Sequence, residues 1–252
     1  MKKSVLGTFG ASALVALAVS GCGGSAAPQA ADSSTAAPTP SRTTAFPPPT
    51  ATPIPTAKAY TGDELAAIVG QLRDSADRRL SVLGSAELSR SLELAKAAIG
   101  SMYVSPAECQ AMADSGNMAA FDGVPLAAGQ SIDNATGSMS MMTLAAGLDE
   151  SKLARIVGQT HQLNTCATMA MTVSGVDYTV TLKPVEGAGS VPDTVTYRTD
   201  TKSSDGKTQS TIKAQAVHHG VLMTAVAMGG ESEADAVRRA GALMDEAAAL
   251  IK

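Results

Sequence analysis

The chain has 252 residues, a formal net charge of −4, only 17% charged residues and a mean hydropathy of +0.09, with no tryptophan, three phenylalanines and four tyrosines. Such an acidic balance excludes nucleic acid and anionic lipid headgroups as partners for the bulk surface. The scarcity of aromatic rings argues against a stacking platform for sugars or bases.

Residues 1–21 read as a lipoprotein signal peptide. Lys2 and Lys3 form a positive n-region, and residues 5–19 an uncharged core of the right length for a signal segment and too short to span a membrane comfortably. Val19, Ser20, Gly21 and Cys22 then match the bacterial lipobox, whose small residues fit the signal peptidase and whose cysteine thiol is lipidated. Cleavage before Cys22 removes both lysines and moves the formal charge from −4 to −6. Two or three acyl chains on one cysteine anchor a protein stably, because each buried methylene adds about 0.8 kcal/mol. The expected location is therefore the outer, extracytoplasmic face of the cell membrane, with Cys22 as the attachment point.

Residues 22–60 hold the lipidated cysteine and a disordered linker. Eight of the twelve prolines fall there among Ala, Ser and Thr, and Asp32, Arg42 and Lys58 are its charged residues. That composition cannot bury enough apolar surface to offset the entropy of ordering. The segment TTAFPPPTATPIPT favours extended polyproline geometry, which suits a stalk.

The folded part, residues 61–252, opens on Thr61-Gly62-Asp63-Glu64, a capping box ahead of a helical face made by Leu65, Ile68, Val69 and Leu72. Residues 80–83 are a short apolar piece, either a strand or a helix end. Residues 85–99 follow with Leu88, Leu92, Ala95 and Ile99 at helical spacing. From Ser138 the period changes, and Met139, Met141 and Leu144 mark a strand. Asp149 then caps a helix that uses Leu153, Ile156, Val157 and Thr160.

After Cys166 the chain alternates repeatedly. Met169, Met171 and Val173 run to a Ser174-Gly175 turn, and Val176, Tyr178, Val180 and Leu182 follow. Val195, Tyr197 and Thr199 lead through Asp205-Gly206 to Ile212, Ala214 and Ala216, and His219-Gly220 turns the chain into residues 221–228. Residues 231–252 close the chain as a helix with Val237, Gly241, Met244, Ala248 and Ile251 on one face, expected to cover the sheet. The pattern is α+β: an antiparallel β-sheet meander packed against helices.

Lipidation of Cys22 leaves Cys109 and Cys166 as an even pair in a compartment that permits disulfides. The pair is expected to form a disulfide rather than two buried thiols or a reactive one; on the chain-entropy model such a bridge would contribute about 4 kcal/mol and pin the helical half to the sheet.

Three stretches carry a resemblance: SPAEC at 105–109, QLNTC at 162–166, and AVHHGVLMTAVAMGG at 216–230 followed by an alanine-rich helix. With them residues 61–252 resemble actinobacterial, mycobacterial-type lipoproteins related to the extracellular sensor domain of PknH-type serine/threonine kinases. The resemblance implies a helix-flanked antiparallel sheet with a cleft and an unidentified ligand. Those sensor domains usually carry a second disulfide and some tryptophan, from which this chain departs.

Catalytic signals are poor. Ser204-Asp205-Gly206-Lys207 meets the Ser-x-x-Lys pattern of penicillin-binding enzymes, but at an expected hairpin tip rather than a helix start in a cleft. His218 and His219 are adjacent, so on a strand they point to opposite faces, and His161 lies far away in sequence. No spacing supplies three converging metal ligands. The segment GAGS at 187–190 lacks the lysine and helix start of a phosphate loop, and none of these motifs requires a cofactor. Met139, Met141, Met142, Met169, Met171, Met223 and Met228 cluster in expected strands, where methionine either fills core gaps or offers an adaptable apolar surface.

Three readings follow. The first is a non-enzymatic, membrane-anchored ligand-binding or sensor-like domain whose partner is a small molecule or envelope component. The second is an envelope lipid carrier with an enclosed methionine-lined cavity, and the third, weakest, is a cell-envelope hydrolase using Ser204. Ligand-binding residues and oligomeric state are not legible in the sequence.

Overall fold

The computed structural model describes residues 58–110, 121–158, 163 and 165–252, with the side chains of 155–158 excepted. The signal peptide, Cys22, most of the stalk, Thr160 and His161 lie outside the described residues.

Among the described residues nine strands form one antiparallel sheet. Its backbone is the expected meander: β5 (Thr168–Val173), β6 (Val176–Pro184), β7 (Val195–Ser203), β8 (Thr208–His218) and β9 (Val221–Met228) pair consecutively. Two of the connections are two-residue turns whose both residues have positive φ, Ser174-Gly175 (51° and 80°) and His219-Gly220 (48° and 75°). Turns of that hand match the twist of the flanking strands, which is why the dipeptides mark hairpins.

β9 then pairs with β4 (Ser138–Ala146), which carries β3 (Leu126–Asp133) on its other side. β1 (Ser81–Val82) and β2 (Tyr103–Ser105) form the two edges. β3 and β2 are absent from the sequence reading. β3 is rich in alanine and carries Gly129 in mid-strand, so it has neither bulky alternation nor β-branched density. The glycine is required by packing: a Cβ there would lie 2.5 Å from Val69 Cγ1 and 3.2 Å from the Ser81 carbonyl oxygen.

One face of the sheet is covered by α1 (Gly62–Val69) and α4 (Glu233–Leu250). The capping box forms as expected: Glu64 N–H donates to Thr61 Oγ1 at 3.2 Å, and Thr61 N–H donates to Glu64 Oε2 at 2.9 Å. Leu65, Leu72, Met142, Leu144, Met223 and Leu243 are fully buried in this core, and each such side chain contributes about 1.5–3 kcal/mol. The fold starts one residue before the capping box, because Tyr60 is buried and its hydroxyl donates to the Lys252 carbonyl at 2.9 Å.

α4 presents the expected face: Gly241, Met244 and Ile251 are buried and Val237 and Ala248 are half-buried against the core, with Ala236, Ala240, Leu243 and Ala247 widening the buried stripe. Small residues also let the backbone approach: a Cβ on Gly241 would lie 2.4 Å from the Gly189 nitrogen, and Asp245 Oδ1 accepts from Ser190 N–H at 2.6 Å. The GAGS segment is thereby a packed loop against α4.

α2 (Ser85–Gly100) turns the expected face inward, with Ala95 buried and Leu88, Leu92 and Ile99 half-buried. α3 (Glu150–Gly158) is capped by Asp149, whose Oδ1 accepts from Lys152 N–H at 2.8 Å. Leu153 of α3, with Phe121 and Val124, covers Ala145, Leu148 and Leu222 on the second face of the sheet.

Elsewhere on that second face, Cys109 and Cys166 form a disulfide with Cα atoms 5.7 Å apart. It sits in an apolar cluster with Val104 of β2, Met169 and Met171 of β5, Val180 and Leu182 of β6, and Tyr197 of β7.

Candidate functional site

The sheet has a notch. β9 stops at Met228, whose ladder partners are Met139 on β4 and Thr211 on β8. β8 begins earlier, and its residues 208–210 pair with β7 alone. Below Met228 the β3–β4 and β7–β8 hairpins therefore project on either side of a missing strand. Gly229 and Gly230 turn the chain from β9 into α4 above this gap with φ of 63° and 94°. A Cβ on Gly229 would lie 2.4 Å from the Gly137 carbonyl oxygen, so the crossing requires glycine.

The notch opens into a cleft of about 900 Å³ with an apolar floor of Ile132, Met139, Ile212 and Met228. Gln209 Nε2 contacts Met228 Sδ at 3.2 Å. The mouth is polar and internally compensated: Arg198 pairs with Asp200 at 2.7 Å and with Glu233 from the first turn of α4. Hydrogen bonds to Asp200 and Glu233 raise the Arg198 pKa. Burial pushes the Asp200 carboxyl up, but hydrogen bonds from Ser210 and Arg198 outweigh it and hold the group below its ordinary value. Among the described residues the cleft thus combines an apolar floor with charged groups that are paired to one another.

The methionine cluster divides by location. Met142 and Met223 are fully buried under the helices, and Met169 and Met171 belong to the disulfide cluster. Met139 and Met228, directly opposite each other in the ladder, line the cleft. Most of the group thus fills core gaps, and the described residues place two methionines in an open cleft rather than lining an enclosed cavity.

Beside the cleft lies a narrow polar crevice of about 140 Å³ between the β3–β4 hairpin, the loop after α1 and α4. Its walls hold two buried charged residues that sequence reasoning missed, Asp74 and Arg239. Asp74 accepts from Ala76 N–H at 2.9 Å, Arg78 N–H at 3.0 Å, Arg78 Nε at 2.7 Å and the Ser131 hydroxyl. Burial alone would raise its pKa, but hydrogen bonds from Ser131, Arg78 and Ala76 bring it down from 3.8 to about 2.

A carboxylate depressed in the folded state contributes stability above its unfolded pKa, and loses it as pH falls through the folded value. Asp74 is therefore expected to add about 2 kcal/mol above about pH 4, disappearing as pH approaches 2. Denaturant unfolding of the wild type and Asp74→Asn at pH 5 and pH 2 checks this. The stability gap between the two proteins should shrink by that amount at the lower pH.

The remaining candidates are dispersed. Ser204 and Lys207 lie at the β7–β8 hairpin tip, where Ser204 N–H donates to the Asp177 carbonyl at 3.1 Å and Lys207 Nζ is 2.7 Å from Asp205. The hydrogen bond to Asp205 raises the Lys207 pKa, which keeps the ammonium protonated and unfit to take a proton from Ser204. His218 and His219 do not separate to opposite faces. His219 occupies the turn with positive φ, and the two rings meet edge to face at 4.3 Å. Burial and then the neighbouring His219 lower the His218 pKa. Among the described residues no three His, Cys, Asp or Glu side chains converge on a metal position, and no helix is long and apolar enough to cross a membrane.

No protein-family model and no curated protein matches the chain. Among solved structures it is similar to the extracellular domain of PknH from Mycobacterium tuberculosis, with 16% identity and a TM-score of 0.44 over 76% of this chain and 98% of that one. This is the kinase whose sensor domain the sequence motifs resemble.

Proposed function

We propose that the chain is an extracytoplasmic lipoprotein, attached to the membrane through Cys22 and held off it by the proline-rich stalk. Its folded domain is a non-enzymatic, sensor-like module that binds an apolar or amphipathic envelope molecule. The observation that carries the binding reading is the cleft below Met228, with its methionine and isoleucine floor and self-paired charged mouth. The lipobox and stalk support the anchor, and the disulfide suits an oxidising compartment. Lys207 locked to Asp205 at a hairpin tip argues against the hydrolase reading, and the open form of the cleft favours a sensor over a carrier. Nucleic acid is no partner in this reading.

One experiment with two arms tests it on the full chain. The neutral apolar dye N-phenyl-1-naphthylamine should bind saturably. Ile132→Glu, at a position 52% exposed and therefore tolerant of substitution, should weaken the dye roughly tenfold, about 1.4 kcal/mol. Dye binding indifferent to Ile132→Glu and Met228→Gln would remove the cleft from the account. In the second arm Cys22→Ser should abolish incorporation of labelled palmitate and release the protein from the membrane fraction. Retained label would remove the anchor.

A further inference from the structure

Lys213 stands in the middle of β8 on the sheet face away from α1 and α4, across the ladder from Tyr197 on β7 and Val226 on β9. The face is apolar on either side of it, with the disulfide cluster toward β5 and the Leu222 cluster toward α3. Lys213 is nevertheless only 6% exposed, and its neighbours on the same face, the directly paired Thr199 and Thr211, are 7% and 6% exposed.

Lys213 differs from the other two buried charged residues. Arg239 and Asp74 are each saturated with hydrogen bonds, whereas Lys213 has no carboxylate, carbonyl or hydroxyl partner among the described residues. Its one described contact is with the Tyr197 ring, whose centroid is 5.6 Å from Nζ. Nor do the Thr199 and Thr211 hydroxyls make a hydrogen bond among the described residues.

An ammonium carries three donors and a full charge, and a protein interior tolerates it only when a counter-charge or a set of acceptors is supplied. A ring face attracts the cation but accepts none of its hydrogen bonds in the ordinary way. Two hydroxyls beside it add donors of their own. The missing complement is a compact group with negative charge and several acceptor oxygens. We propose that Lys213, Thr199 and Thr211 form a binding site for an oxyanion, a phosphoryl or carboxyl group, on the sheet face opposite α4. The site goes beyond the apolar cleft and uses different residues.

The full chain, labelled with ¹⁵N, is titrated with inorganic phosphate and separately with acetate, with chloride at equal ionic strength as reference. Saturable shifts of the backbone amides of Thr199, Thr211 and Lys213 are expected, absent with chloride. Whichever anion binds more tightly names the group. Lys213→Met should weaken the binding roughly tenfold or more, and Lys213→Arg should retain part of it. Ile132→Glu should leave it unchanged, which separates this site from the cleft. No saturable shift with either anion, or shifts that persist in Lys213→Met, would overturn the proposal. Because Lys213→Met removes a buried charge without leaving a described partner stranded, it should fold, and its unchanged dye binding verifies that it has.

Discussion

Replacing Arg239 with methionine is expected to destabilise the folded domain by about 3–5 kcal/mol. The guanidinium is 4% exposed and spends its donors on five acceptors. Nε reaches Asp235 Oδ2 at 2.9 Å, Nη1 reaches the Met139 carbonyl at 2.9 Å and Ser140 Oγ at 3.0 Å, and Nη2 reaches the Met228 and Gly229 carbonyls at 3.3 and 2.5 Å. The carbonyls belong to the place where β9 ends beside β4 and turns toward α4. Methionine fills a similar volume but takes the guanidinium donors away from those acceptors and leaves the Asp235 carboxylate with Arg238 alone. Lysine keeps the charge without the planar fork, so Arg239→Lys should fall between the two. Equilibrium unfolding in guanidinium chloride measures the effect as a fall in midpoint at constant slope. A loss below about 1 kcal/mol would mean that water satisfies these groups nearly as well as the side chain does. The same contacts hold the Gly229-Gly230 crossing over the cleft, so Arg239→Met should also weaken dye binding.

The double substitution Cys109→Ser, Cys166→Ser is expected to cost about 4 kcal/mol, because the bridge closes a loop with a sequence separation of 57 in the unfolded chain. The loss should be uneven. Met102, Val104, Leu163, Met169 and Met171 surround the bridge, whereas the core under α1 and α4 is a separate cluster on the other face. Hydrogen exchange should therefore show β2 and β5 opening first, with β4, β9 and α4 protected up to global unfolding. Thermal melts with and without reductant measure the total. Uniform deprotection of both faces would show that the two clusters unfold as one unit.

Much of the second half of the chain was legible because its signals are local. A turn dipeptide fixes its own backbone conformation, and period-two alternation in β5 to β9 needs only the next residues to be read. The Thr61 capping box and the Asp149 cap are local in the same sense. β3 escaped because alanine and glycine at buried positions carry no contrast. Asp74, Arg239 and Lys213 read as ordinary surface charges in a one-dimensional pattern. Each is buried by elements far away in sequence.

The amino-acid order alone determined the hairpin meander, the helix caps and the change of composition near residue 60. Each follows from chemistry confined to a few neighbouring residues. Tertiary structure alone decided that β4 joins β9, that β9 ends short and leaves a cleft, and which charged side chains are enclosed. Those outcomes depend on which distant apolar faces meet, and no short stretch of chain contains both partners.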